Sequence, residues 1–448
     1  MTDPLTVVGG SVASLAFSLM SARSGRRVAL YVEPTRIGGS FAGIAAAERR
    51  FDLGARLFEL EYEGMDNARP IAAFDPQRDN HRPYIAVVAD FIREILQDNL
   101  RPATTPEMWI CGSRTRCVLM TVDLSDLPSV LSASARTLVL EQIRQILMGP
   151  PRPMAADQTL CDASLAQHGP LLHALLTEAI CSKQYQGWRS VLATERRKLW
   201  AALFQPKTLF EAFAGLPISF RPHRPFHTTT EGVAYPFVRQ LFQAVQGESQ
   251  ITVIPTAALT GLEFDRSGVT RLRFGRDLEL CVPGQQCVIG VPPESLFAAS
   301  GIAYAAERIH ASMLWVDVAE CDLRSVPSTL MICDPSLAVL RISNSGRKPG
   351  WQSFAIEFGN ASPDLAAATA ALQQTGLVRE GAAVRIVHQV SGPAQVAPTM
   401  ANRIAFETAL RGLEPFPGVL LGGARRFGFD GLNDQIADAL YHLGATSC

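Results

Sequence analysis

Residues 5–8 (LTVV) make a short apolar run that stops on Gly9-Gly10, and beyond that turn the hydrophobic period changes. Val12, Leu15, Ala16, Leu19 and Met20 recur at helical spacing up to Ser24-Gly25, after which residues 27–32 (RVALYV) form a second apolar run ending at Glu33. A buried strand, a glycine turn, a helix and a second strand in this order leave few arrangements. The strands are parallel and the helix crosses over between them, so the chain begins with a βαβ unit and belongs to the α/β class.

The rest of the chain is large enough for more than that unit. Its 448 residues exceed the ~100–200 of a typical domain and predict two. Hydrophobic residues are 47% and charged residues 19%, the balance of a globular protein with a substantial interior. Forty-one basic residues oppose 42 acidic ones, and the net charge of -1 gives no field that would draw nucleic acid or an anionic membrane. MTDPL has no basic n-region, and no stretch reaches the ~18 uninterrupted apolar residues of a membrane span, so a soluble, cytoplasmic protein is expected. The nine cysteines show no CxxC pair and read as free thiols, with no metal site expected.

Residues 60–250 read as mostly helix and loop, with helical patterns at 85–98, 137–147 and 170–181 and Pro-rich breaks at 149–153 and 222–225. From residue 251 alternation returns, and ITVIPTAALTGLEFD, VTRLRFG, LELCVPG and QCVIGVPP predict a meander of successive strands. SMLWVDVA, LAVLRIS and SFAIEFG within 310–358 are strand-like, a helical run covers 363–376, and a strand at 419–423 precedes a last helix from about Asp434 to Leu443.

The first turn carries a known chemistry in altered form. In a dinucleotide fingerprint one glycine makes the turn, a second lets backbone approach a pyrophosphate and a third lets helix and strand pack closely. The slots here hold Gly9, Ser11 and Ser14. The helix N-terminus still offers N–H groups and a favourable dipole to an anion. Glu33, at the end of the second strand, is placed to accept hydrogen bonds from ribose hydroxyls, and its charge would repel a 2′-phosphate.

Four blocks extend this beginning along the chain: RIGGSF (36–41), FDLGARLFEL (51–60), VIGVPPESL (288–296) and PGVLLGGARRFGFDGLNDQIADAL (417–440). In order and content they resemble the flavoprotein superfamily of amine oxidases, protoporphyrinogen oxidases and UDP-galactopyranose mutases, and the last block is most similar to the mutase branch. The resemblance implies a Rossmann-type FAD-binding domain assembled from residues 1–60, 230–300 and 395–448. A mixed helical and β-sheet substrate or cap domain would comprise 61–229 and 301–394. It implies FAD pyrophosphate near Gly9, Gly10, Ser11, Ser14, Gly38, Gly39 and Ser40, ribose on Glu33, and adenine at the backbone of Ala257 and Ala258. The isoalloxazine end would lie near Gly54, Ala55 and Arg56 and along Gly428 to Ile436, with Asn433, Asp434 and Gln435 facing the flavin pyrimidine ring, and Gly423 and Arg426 are further implied cofactor contacts. Ser40 stands where relatives commonly carry arginine, Gly423-Ala424 where an acid meets the ribityl chain, and Ala439 where the last helix has glycine.

Such a protein is expected to oxidise a small organic substrate, an amine or amino acid, by hydride transfer to flavin. Two alternatives stay open: a non-redox flavin-dependent UDP-sugar mutase, and a subunit that keeps the fold without catalysis. For substrate, the segment 217–236 offers His223, Arg224 and His227 to an anion, or serves as a Pro-rich linker. Arg341 either faces the substrate, as the mutase branch implies, or forms a surface salt bridge. Trp315 and Trp351 read as core residues, and Glu357 as a strand charge in preference to a base.

Overall fold

The computed structural model describes residues 3–61, 69–73, 84–121, 123–150, 155–194, 205–219, 225–265, 268–276, 278–281, 287–416, 418–428 and 431–445. His223 and Arg224 lie outside them.

Strand β1 (Leu5–Val8), helix α1 (Val12–Arg23) and strand β2 (Val28–Val32) form the expected βαβ unit. The two strands pair in parallel, with Val7 opposite Leu30. Ile251–Pro255 adds beyond β2, and Cys287–Ile289 followed by Val419–Leu420 adds beyond β1, giving a five-stranded sheet that is parallel throughout. Parallel sheets are covered on both faces, and this one carries hydrophobic clusters on each. α1 is therefore enclosed, and Ser14, Ser18 and Ser21 are buried along with Val12, Leu15 and Leu19. The spacing of its apolar residues predicts one buried face, but α1 is buried on both sides, because its outer side meets the helices Tyr235–Gly247 and Leu432–Ala445.

Two strand assignments differ from expectation. Of the predicted meander, only Leu259–Asp265, Gly268–Phe274 and Leu278–Leu280 form an antiparallel sheet; the flanking strands belong to the parallel one. Within 60–250, Glu107–Ile110 and Ser113–Arg116 form a hairpin, although the region reads as helix and loop. That hairpin ends a seven-stranded sheet whose order is Val384–Val396, Arg308–Ala319, Trp351–Gly359, Arg341–Lys348, Thr329–Ile332, Glu107–Ile110, Ser113–Arg116. All its pairs are antiparallel except Thr329–Ile332 with Glu107–Ile110.

Alternation sorts the residues of the large sheet. Leu314, Val316, Phe354, Ile356 and Ile342 pack with Ala368, Ala371 and Leu372 of the helix Leu365–Gln374 on one face. Trp315, Asp317, Ser353, Glu357 and Arg341 point to the other. Trp315 is fully buried against Phe51 of the hairpin Ile44–Ala46/Arg49–Phe51, as its core reading requires. Arg49 of that hairpin donates to both Asp317 carboxylate oxygens, at 3.1 and 3.0 Å, and to Ser353 Oγ at 2.6 Å. Burial alone would raise the Asp317 carboxyl, but bonds from Lys348, Ser353 and Arg49 bring it below its ordinary range. The N-terminal segment is thus fastened to the sheet.

Candidate functional site

The first turn is shaped by close backbone approach. Gly9 has φ +120°, and a Cβ there would lie 2.6 Å from the Gly290 carbonyl oxygen, so a side chain is excluded on both counts. Ser11 does not point away from the turn. It is the N-cap of α1, and its Oγ accepts the Ser14 N–H at 3.2 Å and lies 3.0 Å from Ser14 Oγ. Ser14 Oγ in turn donates to the Gly290 carbonyl at 3.4 Å. The two serines in glycine slots therefore tie the turn to the strand beside it. A second glycine turn folds onto the first, with the Gly38 N–H donating to the Gly10 carbonyl at 2.6 Å. A Cβ on Gly39 would meet nothing within 4 Å, and Ser40 is exposed beside it. Glu33 ends β2 half-exposed, accepting from Thr35 Oγ1 at 3.1 Å and from Arg36 Nε at 3.3 Å. Ala258, also exposed, follows the neighbouring strand, whose exit is fixed by the Thr256 N–H to Val32 carbonyl bond of 2.8 Å.

The last block arrives at the same place. Gln435, near the start of the last helix, accepts the Ala13 N–H on Oε1 at 3.3 Å, and Gly422 packs against both residues. Asn433 donates to the Glu59 carbonyl at 2.8 Å, joining this helix to the segment after Gly54. Asp434 and Ile436 are buried, whereas Gly423, Arg426 and Gly428 are half-buried along the preceding turn. Sequence reasoning missed Asp438, which is fully buried and accepts the Gly422 N–H at 2.7 Å. Its spacing from His442, whose Nε2 lies 3.5 Å from Asp438 Oδ1, was the available signal. An acid thus supports this turn from the helix, although none stands at 423–424.

The FDLGAR turn meets the polar face of the seven-stranded sheet. Arg341 and Glu357 sit opposite each other on adjacent strands and form an ion pair with side chains 6% and 14% exposed. This is no surface salt bridge. A Cβ on Gly54 would lie 2.8 Å from Glu357 Oε1 and 2.9 Å from Arg341 Nη2, so the FDLGAR turn rests directly on the pair. Ala55 is buried, and the Arg56 guanidinium lies 4.7 Å from the centre of the Phe41 ring. Asp52, just before the turn, accepts the Ala234 N–H with both oxygens, at 3.0 and 3.1 Å, at the start of the helix Tyr235–Gly247. Burial pushes its carboxyl up to about 7, against the pull of that N–H and of Arg56.

His227 is half-buried in a small sheet, opposite Phe58 and Pro102, and desolvation lowers its pKa. None of its described hydrogen bonds or ion pairs joins it to Arg341. Trp351 is half-buried beneath Arg385, whose guanidinium lies 4.7 Å from the ring centre. Among the described residues no group of His, Cys, Asp and Glu could hold a metal ion, and no helix is long and apolar enough to cross a membrane. A cavity lined by Arg23, Glu94, Gln97 and Gln240 lies at the other end of α1, away from this constellation.

Comparison with protein-family models and with the sequences of curated proteins finds no match. Solved structures do match. A reduced UDP-galactopyranose mutase superposes with a TM-score of 0.75 at 10% identity, over 99% of this chain and 96% of its own. An oxidoreductase from Methanosarcina mazei gives 0.60 at 10% identity over 98% and 99%, and an engineered putrescine oxidase gives 0.52 at 11% over 99% and 98%. The chain shares their fold. A UDP-galactopyranose mutase is among the types that the ordered blocks of the sequence resemble. The residues present fit a dinucleotide in outline: a strand-end acid, two stacked glycine turns with open space over Gly39, and two helix N-termini meeting at Gly422.

Proposed function

We propose that the protein is an FAD-dependent oxidoreductase that oxidises a small organic substrate, an amine or amino acid. The observation that carries this reading is the convergence of the α1 turn, the Gly422 turn and the start of the last helix at one end of the parallel sheet. Residues 1–60, 230–300 and 395–448 would hold the cofactor, with the helix Ile85–Leu96 packed on their core. Glu33 would take the adenosine ribose, and Gly38, Gly39 and the α1 turn the diphosphate. Asn433 and Asp434 would meet the flavin end. When bound, FAD supplies the hydride acceptor, so the protein's task is to orient the donor and exclude water.

Arg341 and Glu357 suit that task. They present one charge of each sign side by side in a buried setting beside Gly54, and an amino acid offers the complementary pair. A second reading, a non-redox UDP-sugar mutase, is favoured by the TM-score of 0.75 over nearly the whole of both chains. The engaged N–H groups of α1 favour a third, the fold kept without catalysis.

Denaturing the purified protein should release flavin near one equivalent per chain, seen by its absorbance. A colourless protein that also takes up no added FAD overturns both enzyme readings. With flavin present, anaerobic addition of an amine or amino acid substrate bleaches it under the oxidoreductase reading; a flavin that turns over UDP-sugar only after prior chemical reduction establishes the mutase instead.

A further inference from the structure

Lys183, in the helix Ala179–Gln184, sends its ammonium among three backbone carbonyls. Nζ donates to the oxygens of Ile332 at 3.0 Å, Asp334 at 2.7 Å and Val339 at 3.1 Å. Burial lowers its pKa to about 8, so at neutral pH it is the ammonium, whose N–H donors match these acceptors in number. Ile332 and Val339 are fully buried, so water cannot take over their carbonyls if the lysine is removed. The three carbonyls bracket the loop 333–340, which leads from the strand Thr329–Ile332 into Arg341, the first residue of its own strand. The strand fixes Arg341 from one side, and the loop fixes it from the other. The same lysine also meets the strand that carries Glu357. Its carbonyl accepts the Asn360 N–H at 2.9 Å, and Gly359, at φ +60°, lies so close that a Cβ there would collide with the Lys183 oxygen. Val339 is two residues before Arg341, and Gly359 two residues after Glu357.

We propose that Lys183 is a positioning residue for the Arg341–Glu357 pair: its ammonium fixes the loop that delivers Arg341, its carbonyl fixes the strand end that carries Glu357, and the pair thereby keeps the spacing on which the two charges of an amino acid would be received. This rests on the reading of that pair as a substrate site above. The bonds of Lys183 go to backbone groups, so it acts on the pair through the chain that carries each member. An orienting pair needs such support, because a hydrogen bond weakens steeply once its angle is lost and the charge-assisted kind has the most to lose.

Urea midpoints of wild type, Arg341→Met, Glu357→Met and the double variant give the coupling of the pair, and the same four measurements in a Lys183→Met background give it again. The coupling in the second set should fall to about half or less, since a misplaced pair loses the alignment that makes it strong. A lysine that only ties helix to sheet would lower all four midpoints alike and leave the coupling unchanged, which overturns the proposal. Anaerobic bleaching of the flavin reads the site itself. With the common amino acid that bleaches wild type fastest, Lys183→Met should raise the half-saturating concentration about ten-fold or more, the worth of one hydrogen bond to a charged group. An unchanged half-saturating concentration also overturns the proposal. If no amino acid bleaches the wild-type flavin while the coupling still falls, the amino acid reading fails and Lys183 keeps its role toward the pair. Where Lys183→Met does not fold, Lys183→Arg takes its place in both experiments, because a planar guanidinium cannot aim its donors at converging carbonyls as an ammonium does.

Discussion

The two ends of the candidate site are built from different materials. At the end proposed to hold a dinucleotide the groups are backbone N–H donors and turn glycines, and most come from one βαβ unit. At the other end, where we propose that substrate binds, they are side chains, Arg341 and Glu357, brought beside Gly54 by the register of two strands. A backbone-built site tolerates change in side chains as long as the turn keeps its shape, which is why serines occupy two glycine slots here without breaking the turn. A side-chain-built site has no such freedom, because each group depends on its partner for burial.

The sharpest test of that contrast is Arg341→Met. It leaves the Glu357 carboxylate buried without its counter-ion, and losing one member of a buried pair costs about 3–5 kcal/mol. The double variant Arg341→Met/Glu357→Met should recover most of the loss, because two apolar side chains remove both desolvation penalties. Urea unfolding midpoints read both. A single variant that costs less than about 1 kcal/mol would mean that the pair is solvated and the two ends do not differ in kind.

The same contrast decides what was legible in the sequence. The βαβ unit was readable because its period switches from strand to helix and back within one local stretch, and the cap at Ser11 agrees with it. The hairpin Glu107–Ile110/Ser113–Arg116 was not, because its strands are four residues each and the second is polar throughout. Nor did alternation reveal sheet membership: Ile251–Pro255 and Cys287–Ile289 look like their neighbours in sequence but pair with β2 and β1. The nearness of Gly54, Arg341 and Glu357 follows from pairing between strands distant in sequence from the turn, and no local pattern encodes it. Asp438 escaped notice because a single acid on a helix usually faces solvent, whereas here it meets the Gly422 N–H inside.

Asp52 stands where the two ends join, and its titration measures how firmly they are held. The folded state raises its carboxyl from 3.8 to about 7, so the fold prefers the protonated form. The stability tied to this group is full at acid pH and is lost as pH rises from about 4 to about 7, with a slope of at most about 1.4 kcal/mol per pH unit. Asp52→Asn keeps an oxygen for the Ala234 N–H and has no charge to bury. Its urea midpoint should exceed that of wild type at about pH 8 and match it near pH 4. Equal midpoints at both would place Asp52 in a wetter setting than its 4% exposure describes.

The smallest effect belongs to the backbone-built end. Ser11→Ala removes the α1 cap and should cost about 1 kcal/mol, several-fold less than Arg341→Met. The reason is that Ser11 itself is half-buried, so water can take the place of its hydroxyl, whereas a carboxylate left without its counter-ion has no such substitute. Ser11→Gly should cost only a few tenths, since glycine caps nearly as well by letting solvent in. If Ser11→Ala instead costs as much as Arg341→Met, the hydrogen bonds running from Ser11 through Ser14 to Gly290 act as one buried unit, and the dinucleotide end is built from side chains as well.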